Sequence, residues 1–153
     1  MKLLAWDTST ANFSLALSLG GLEVEEDLQL GTGLSNEIIP TIKSLLQKRN
    51  VALKDLDGFC VGIGPGSFTG LRIGLAVAKG FSFALKKPLI GISSLDILAM
   101  NAIKYARKIC CVVDAKREKV YAAIYEAQRG RLKRLTPYLL TDIAGLLKKV
   151  SGE

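Results

Sequence analysis

The sequence reads DGFCVGIGPGSFTGLRIG from Asp57 to Gly74. Its first seven residues are a short apolar run typical of a buried strand, and a glycine-rich turn follows. A long segment from about Ser67 to Lys86 is then apolar on nearly every side, so we expect a helix packed between other elements. A strand, a glycine turn and an apolar helix in succession indicate α/β architecture.

Upstream of this unit, the chain alternates apolar and polar residues in the manner of a three-stranded antiparallel meander. LLAW runs into the polar turn 7–9, and a second alternating strand follows. Gly20-Gly21 has the composition of a two-residue hairpin turn. Gly31 and Gly33 are predicted to end the third strand.

From Leu34 to Arg49 the apolar period becomes helical. The apolar positions include two adjacent pairs, which widen the stripe beyond one narrow face. The helix therefore either packs only on its own sheet or also offers a seam to a partner. The apolar positions concerned are Ile38, Ile39, Ile42, Leu45 and Leu46, to which the next helix adds Leu71 and Leu75 as candidate partner-binding residues.

Downstream, PLIGI is a further buried strand, and Ser93 is predicted to open a helix with Asp96 in a capping-box position. The pattern then restarts. ICCVVDA ends in Asp114, a second strand and a turn follow, residues 132–140 are predicted as a third strand, and a helix closes the sequence. We interpret this order as an internal duplication in which Asp114 corresponds to the acid of the first meander.

The two copies predict a first lobe at 1–106 and a shortened second lobe at 107–153. Mixed sheets in two facing lobes are the arrangement of the actin, Hsp70 and sugar-kinase fold, which is ribonuclease H-like and is also called ASKHA. In that fold the first-strand acid and the following hydroxyl turn hold nucleotide phosphate and magnesium.

The composition is that of a globular protein, with 49% hydrophobic and 23% charged residues among 153. The apolar stretch from Leu71 to Leu85 is interrupted by Arg72 and Lys79, so we expect no membrane span. MKLLAWDTST is no signal peptide, and we expect a cytoplasmic location. With no histidine, the chain holds no Ser-His-Asp triad, Cys-His pair or His-ligated zinc.

Three cysteines, Cys60, Cys110 and Cys111, lack any CxxC spacing. We expect small core residues in a reducing compartment rather than metal ligands or disulfides.

The net charge of +7 lies entirely in the last third. Residues 1–103 hold nine basic and nine acidic residues, whereas residues 104–153 hold twelve and five. This balance fits either attraction to nucleic acid or an acidic partner, or a solvated face. The basic residues grouped around one turn are Arg129, Arg131, Lys133 and Arg134; the nearby Tyr121, Tyr125 and Tyr138 have the spacing of sheet packing.

Two segments are candidates for phosphate binding, although neither a P-loop nor a GxGxxG fingerprint is present. A glycine-rich turn at a helix N-terminus is an anion site in principle, and an acid at a strand end can hold magnesium. The alternatives are a tight turn that seats the helix and a local Asx turn. The residues concerned are Asp7, Thr8, Ser9, Gly64, Gly66, Ser67 and Thr69.

GPGSFTGLRIG, preceded by DGFCVGI and by LLAWDTSTANFSLAL, resembles the TsaB family of bacterial tRNA N6-threonylcarbamoyladenosine synthesis. Further matches are LSNEIIPTIKSLL, PLIGISSLDILA and VVDAKREKVYAAIYE. The resemblance implies an actin-like fold and a non-catalytic scaffold, a glycoprotease-like pseudoenzyme with no catalytic residue, no metal and no required cofactor.

The resemblance also implies partners. The catalytic paralogue TsaD would bind the first-lobe helices, an ATPase subunit, TsaE, would join the pair, and tRNA would be met only through the complex. Without TsaD the family forms homodimers. TsaD holds its metal on a pair of histidines, which this chain lacks.

Two departures from the family pattern stand out. Leu34 occupies a position where the family often has histidine, and the second lobe has only its meander and one helix. A natural short form and a fragment both remain open. The alternative function is a small phosphotransferase or ATPase of the same fold, which would bind ATP and magnesium weakly through the residues named above.

Overall fold

The computed structural model describes residues 1–30 and 33–151 and divides the chain into two compact units. Unit 1 is Met1–Ile92 and unit 2 begins at Ser93. Unit 1 contains β1 (Lys2–Asp7), β2 (Asn12–Leu19), β3 (Glu23–Gln29), α1 (Leu34–Lys48), a 3₁₀ turn (Leu53–Asp55), β4 (Gly58–Gly62), α2 (Phe68–Leu85) and β5 (Leu89–Ile92). Unit 2 contains α3 (Ser94–Asn101), β6 (Lys108–Lys116), β7 (Lys119–Gln128), β8 (Arg131–Arg134), β9 (Leu139–Thr141) and α4 (Ile143–Ser151).

The sheet of unit 1 is mixed, with strand order β3-β2-β1-β4-β5. The predicted meander forms its antiparallel part, and Gly20 and Gly21 turn the first hairpin with positive φ angles of 70° and 126°. Strand β4 lies parallel to β1, and β5 lies parallel to β4, because helices lie in the connections between them. Gly31 lies outside the described residues, and Gly33 is the N-cap of α1.

The core of unit 1 lies on one face of this sheet. Alternate residues of β1 and β2 point into it, and the register pairs Leu4 with Leu17 and Trp6 with Leu15. Both α1 and α2 pack there, so the period-two and helical patterns of the sequence meet in one cluster.

The bounds of α2 match the prediction. Ser67 is its N-cap, with the Oγ accepting a hydrogen bond of 3.2 Å from the Gly70 N–H. Lys86 ends the helix in the left-handed conformation, with φ 53°.

The sheet of unit 2 has the order β6-β7-β8, and β9 pairs with the same strand β7 as β8 does. The single strand predicted at 132–140 is wrong, because the chain leaves the ladder between β8 and β9. Pro137 has no N–H to donate, and the Thr136 Oγ1 accepts the Ile124 N–H at 3.1 Å instead. The Ile124 N–H of β7 therefore keeps a hydrogen-bond partner where the ladder is interrupted.

The two units divide earlier than the lobes expected at 1–106 and 107–153, since α3 belongs to unit 2. Leu95 and Ala99 of α3 are fully buried against Ile109, Cys111 and Tyr125. The sequence gives α3 an apolar face but does not say which sheet receives it.

Candidate functional site

The polar turn 7–9 at the end of β1 lies against a row of glycines. A Cβ built on any of these glycines would overlap an atom of that turn. The four glycines recur at every fourth position from β4 into α2, and they are Gly62, Gly66, Gly70 and Gly74. Glycine is required at these four positions because no side chain fits between this backbone and the turn.

Hydrogen bonds join the same two segments. The Ser67 N–H donates to the Ser9 carbonyl oxygen at 2.6 Å. The Thr8 hydroxyl, which is fully buried, donates to the Gly70 carbonyl oxygen at 2.8 Å. We call the polar turn 7–9 together with the four glycines the turn–glycine joint.

Trp6 extends the joint into the core. Its indole Nε1–H donates to the Gly74 carbonyl oxygen at 3.1 Å. The ring packs edge-on against Phe59 and Phe81, with centroids 6.3 and 6.2 Å away. The first turns of α2 are thus fixed to β1 by both polar and aromatic contacts.

The structure brings together Asp7, Thr8, Ser9, Gly66 and Ser67, as the phosphate-binding hypothesis requires. The groups that would receive a phosphate are bonded to one another, however. The Ser9 N–H donates to the Asp7 Oδ1 at 2.6 Å, which is the Asx turn of the alternative interpretation. We interpret the glycine motif as a packing joint.

The two remaining candidate phosphate-binding residues differ from each other in exposure. Thr69 is exposed on the first turn of α2, and Gly64 is buried with φ 86°. Its positive φ explains why the turn needs glycine at that position. Phosphate binding by Thr69 and Gly64 stays a prediction.

Replacing Thr8 by valine tests the joint. Valine keeps the volume but removes the hydroxyl that donates to the Gly70 carbonyl oxygen, which then keeps only its hydrogen bond within α2. We expect the free energy of unfolding to fall by about 0.5–1.5 kcal/mol in urea titrations, the net value of one hydrogen bond. Thr10→Val is the control: it also removes hydroxyl hydrogen bonds, but at an exposed turn where water replaces them, so it should lower the free energy of unfolding less. Equal effects at both positions would contradict the joint.

The partner-binding residues predicted on α1 are mostly core residues. Ile38, Ile42, Leu45 and Leu46 are at most 5% exposed and pack in the unit 1 core, so they do not form a free surface. Only Ile39 is exposed, at 52%. The adjacent pair Leu45 and Leu46 widens the buried stripe because α1 lies on both the sheet and α2.

The α2 helix exposes large apolar side chains. Leu71 and Leu75 are half-buried, whereas Phe68 and Phe83 are 74% and 86% exposed. We call this surface the α2 outward face; its residues are Phe68, Arg72, Ala76, Lys79, Gly80 and Phe83. The expectation that α2 is packed on all sides is wrong, because Gly70 and Gly74 face the sheet whereas Phe68 and Phe83 face outward.

Among the described residues, α2 is the one helix long and apolar enough, by length and composition, to cross a membrane. Core helices of soluble proteins pass the same test. Here the bonds from Trp6 and Thr8 hold α2 against β1.

Asp114 of unit 2 repeats the turn of Asp7. Its Oδ1 accepts the Lys116 N–H at 2.7 Å, two residues on, as the Asp7 Oδ1 accepts the Ser9 N–H. The Lys116 Nζ adds a bond of 2.9 Å to Oδ2, and these hydrogen bonds lower the pKa of the Asp114 carboxyl. The shared turn supports the internal duplication.

Asp96 does not form the predicted capping box. The Ser93 side chain makes no capping bond, and the Asp96 carboxylate accepts hydrogen bonds from the hydroxyls of Tyr125 and Tyr138 at 2.7 and 2.8 Å. Burial, with the Asp96 bond, raises the pKa of Tyr125. The tyrosines compete for the carboxylate once α3 packs on β7, so tertiary contacts override the local motif.

The cysteines are free and differ in burial. Cys111 is buried, and desolvation raises the pKa of its thiol to about 11. Cys110 is exposed, because successive residues of a strand face opposite sides of the sheet. The expectation that Cys110 is a core residue is therefore wrong. Across residues 1–30 and 33–151, no group of three or more acidic or cysteine side chains could hold a metal ion.

Comparisons with known proteins agree on one family. The family model described as TsaD: tRNA N6-adenosine threonylcarbamoyltransferase matches residues 32–152. The chain is 34% identical to the tRNA threonylcarbamoyladenosine biosynthesis protein TsaB of Bacillus subtilis (strain 168), over 97% of this chain and 67% of the relative. It is 33% identical to TsaB of Escherichia coli (strain K12), over 82% of this chain and 55% of that protein.

Solved structures give the same picture. YeaZ from Pseudomonas aeruginosa superposes with a TM-score of 0.87 at 33% identity, covering 92% of this chain and 67% of YeaZ. A second Pseudomonas aeruginosa structure, described as an uncharacterized protein with similarity to peptidase YEAZ, gives 0.88 at 33% identity, over 92% of this chain and 66% of that one. The predicted mixed α/β fold of the actin-like class is confirmed.

Proposed function

The chain belongs to the TsaB family of tRNA threonylcarbamoyladenosine biosynthesis proteins, and from that membership we propose that it is the non-catalytic scaffold subunit for the TsaD transferase. Its task is to bind and support TsaD, which performs the transfer to tRNA.

The α2 outward face carries this proposal. Two exposed phenylalanines flank small residues at positions 76 and 80, so a partner helix can approach closely between aromatic side chains. The Arg72 guanidinium lies 5.5 Å from the centre of the Phe68 ring, which holds that ring in place beside the contact. Exposed aromatic side chains beside an arginine are typical of interaction sites.

The residues available support a non-catalytic role. The chain has no histidine for a TsaD-type metal site, and the polar groups of the turn–glycine joint bond one another. We propose a cytoplasmic scaffold that meets tRNA through the complex. TsaE would join that complex, and a homodimer would form through the same α2 outward face when TsaD is absent.

Molar mass measured by light scattering after size exclusion tests the proposal. We expect a homodimer for the chain alone and a one-to-one heterodimer with the TsaD protein of the same organism. A chain whose mass stays unchanged when TsaD is added in excess would overturn the scaffold role.

A further inference from the structure

One face of the unit 2 sheet collects basic side chains. Lys108 of β6, Glu126 of β7 and Lys133 of β8 are register neighbours and therefore point to the same side. Arg131 lies two residues before Lys133 on β8 and shares that side.

Two more cations join this surface. Lys149 of α4 and Lys108 line one open pocket of about 220 Å³. The Arg107 Nε lies 3.2 Å from the Glu126 Oε1 and so compensates the central acid. We call this surface the basic face; its residues, all exposed, are Arg107, Lys108, Arg131, Lys133 and Lys149.

Most acids of unit 2 are engaged elsewhere. Asp96 accepts from two tyrosines, Asp114 pairs with Lys116, and the Asp142 Oδ1 accepts the Gly145 N–H at 2.6 Å. Within the described part of the chain, four basic-face residues have no carboxylate within 4.0 Å; they are Lys108, Arg131, Lys133 and Lys149. Their charge is therefore uncompensated.

The basic residues predicted as one group around the turn lie on different faces. Arg134 faces α3, where its guanidinium stacks 4.0 Å from the centre of the Tyr138 ring and lies 3.9 Å from the Asp96 Oδ1. Tyr125 and Tyr121 pack in the cluster on this side of the sheet, whereas Tyr138 is 45% exposed and lies outside the strands. The alternation along β8 separates Arg134 from the basic face.

Protection of exposed strand edges does not account for the basic face. Lysines on edge strands do prevent unwanted pairing between sheets. Edge strand β3 of unit 1, however, carries Glu23, Glu25 and Asp27, which serve that purpose with the opposite sign. Lys149 belongs to a helix and protects no edge.

We propose that the basic face binds the sugar–phosphate backbone of RNA, an inference that rests on the proposed function in naming tRNA as the RNA. The Cα atoms of Lys108 and Lys133 are two strands apart, about 10 Å, and those of Lys133 and Arg131 about 7 Å. The pocket between Lys108 and Lys149 makes the face concave, which suits the rounded backbone of an RNA helix better than a flat bilayer.

The test is the salt dependence of tRNA binding, measured by fluorescence anisotropy with the chain alone and with the chain–TsaD complex. Four phosphate contacts, from the four basic-face residues without a carboxylate partner, predict an affinity that falls roughly 150-fold between about 50 and 200 mM salt. The double variant R131Q/K133Q should leave a fall of roughly 12-fold, because two contacts are lost.

The matched control is K2Q/K54Q, which removes the same charge from exposed positions in unit 1. We expect its salt dependence to equal that of the unsubstituted chain. Equal slopes for both double variants would overturn the proposal. The proposal would also be overturned if R131Q/K133Q weakened binding to polyglutamate or to phosphatidylserine vesicles and left tRNA binding unchanged.

Light scattering of each variant with TsaD separates this proposal from the scaffold role. R131Q/K133Q should still form the heterodimer, because the basic face is distinct from the α2 outward face. If the unsubstituted chain ignores TsaD, the scaffold role fails, while the anisotropy of the chain alone still decides the RNA proposal.

Discussion

Replacing Gly70 by alanine should lower the free energy of unfolding of the chain by about 3 kcal/mol or more. The added Cβ would overlap the Thr8 carbonyl oxygen, which is backbone and cannot rotate away. Relief requires α2 to move off β1, which breaks the hydrogen bond from the Thr8 hydroxyl to the Gly70 carbonyl oxygen. Urea unfolding followed by far-UV circular dichroism measures the loss.

Gly80→Ala is the matched control, since it makes the same change in the same helix. No atom lies within 4 Å of a Cβ built on Gly80. Because alanine favours helix more than glycine does, we expect about 0.5–1 kcal/mol of stabilisation there. Similar losses at both positions would show that the glycines act through helix propensity and not through the turn–glycine joint.

Replacing Phe83 by aspartate should weaken TsaD binding strongly while leaving the chain folded. Phe83 is 86% exposed and does not belong to the core cluster of unit 1, so its replacement costs little stability. A charge placed on the α2 outward face would have to be desolvated on docking, and we expect at least about 30-fold weaker binding, or about 2 kcal/mol. Titration calorimetry with TsaD gives the affinity, and circular dichroism checks the fold.

Tyr105→Asp is the matched control for Phe83→Asp, because Tyr105 is an aromatic residue of unit 2 that is also 86% exposed. It should leave the affinity for TsaD unchanged. If α1 carried the partner contact, Ile42→Asp should also prevent TsaD binding by a folded chain. Because Ile42 is only 2% exposed, we expect this substitution to unfold unit 1 instead. Normal TsaD binding by Phe83→Asp would move the contact away from α2.

Local patterns predicted the elements well wherever one period dominated. The alternation in β2 and the helical period of α1 both survive in the fold, because each buries one face against the same sheet. The Gly20-Gly21 hairpin and the Ser67 cap also depend only on neighbouring residues. Two of the predictions that failed, at Asp96 and at residues 132–140, involve partners distant in the chain.

The sequence alone determined the family, the mixed α/β class and the glycine motif, because these depend on residue type and spacing. The tertiary structure decided which surfaces are free. It buried Ile38, Ile42 and Leu45 and exposed Phe83, because the glycines of α2 bring that helix against the polar turn after β1. Periodicity reports that a helix has an apolar side, whereas only the packing of the whole unit shows which apolar side chains remain without a neighbour.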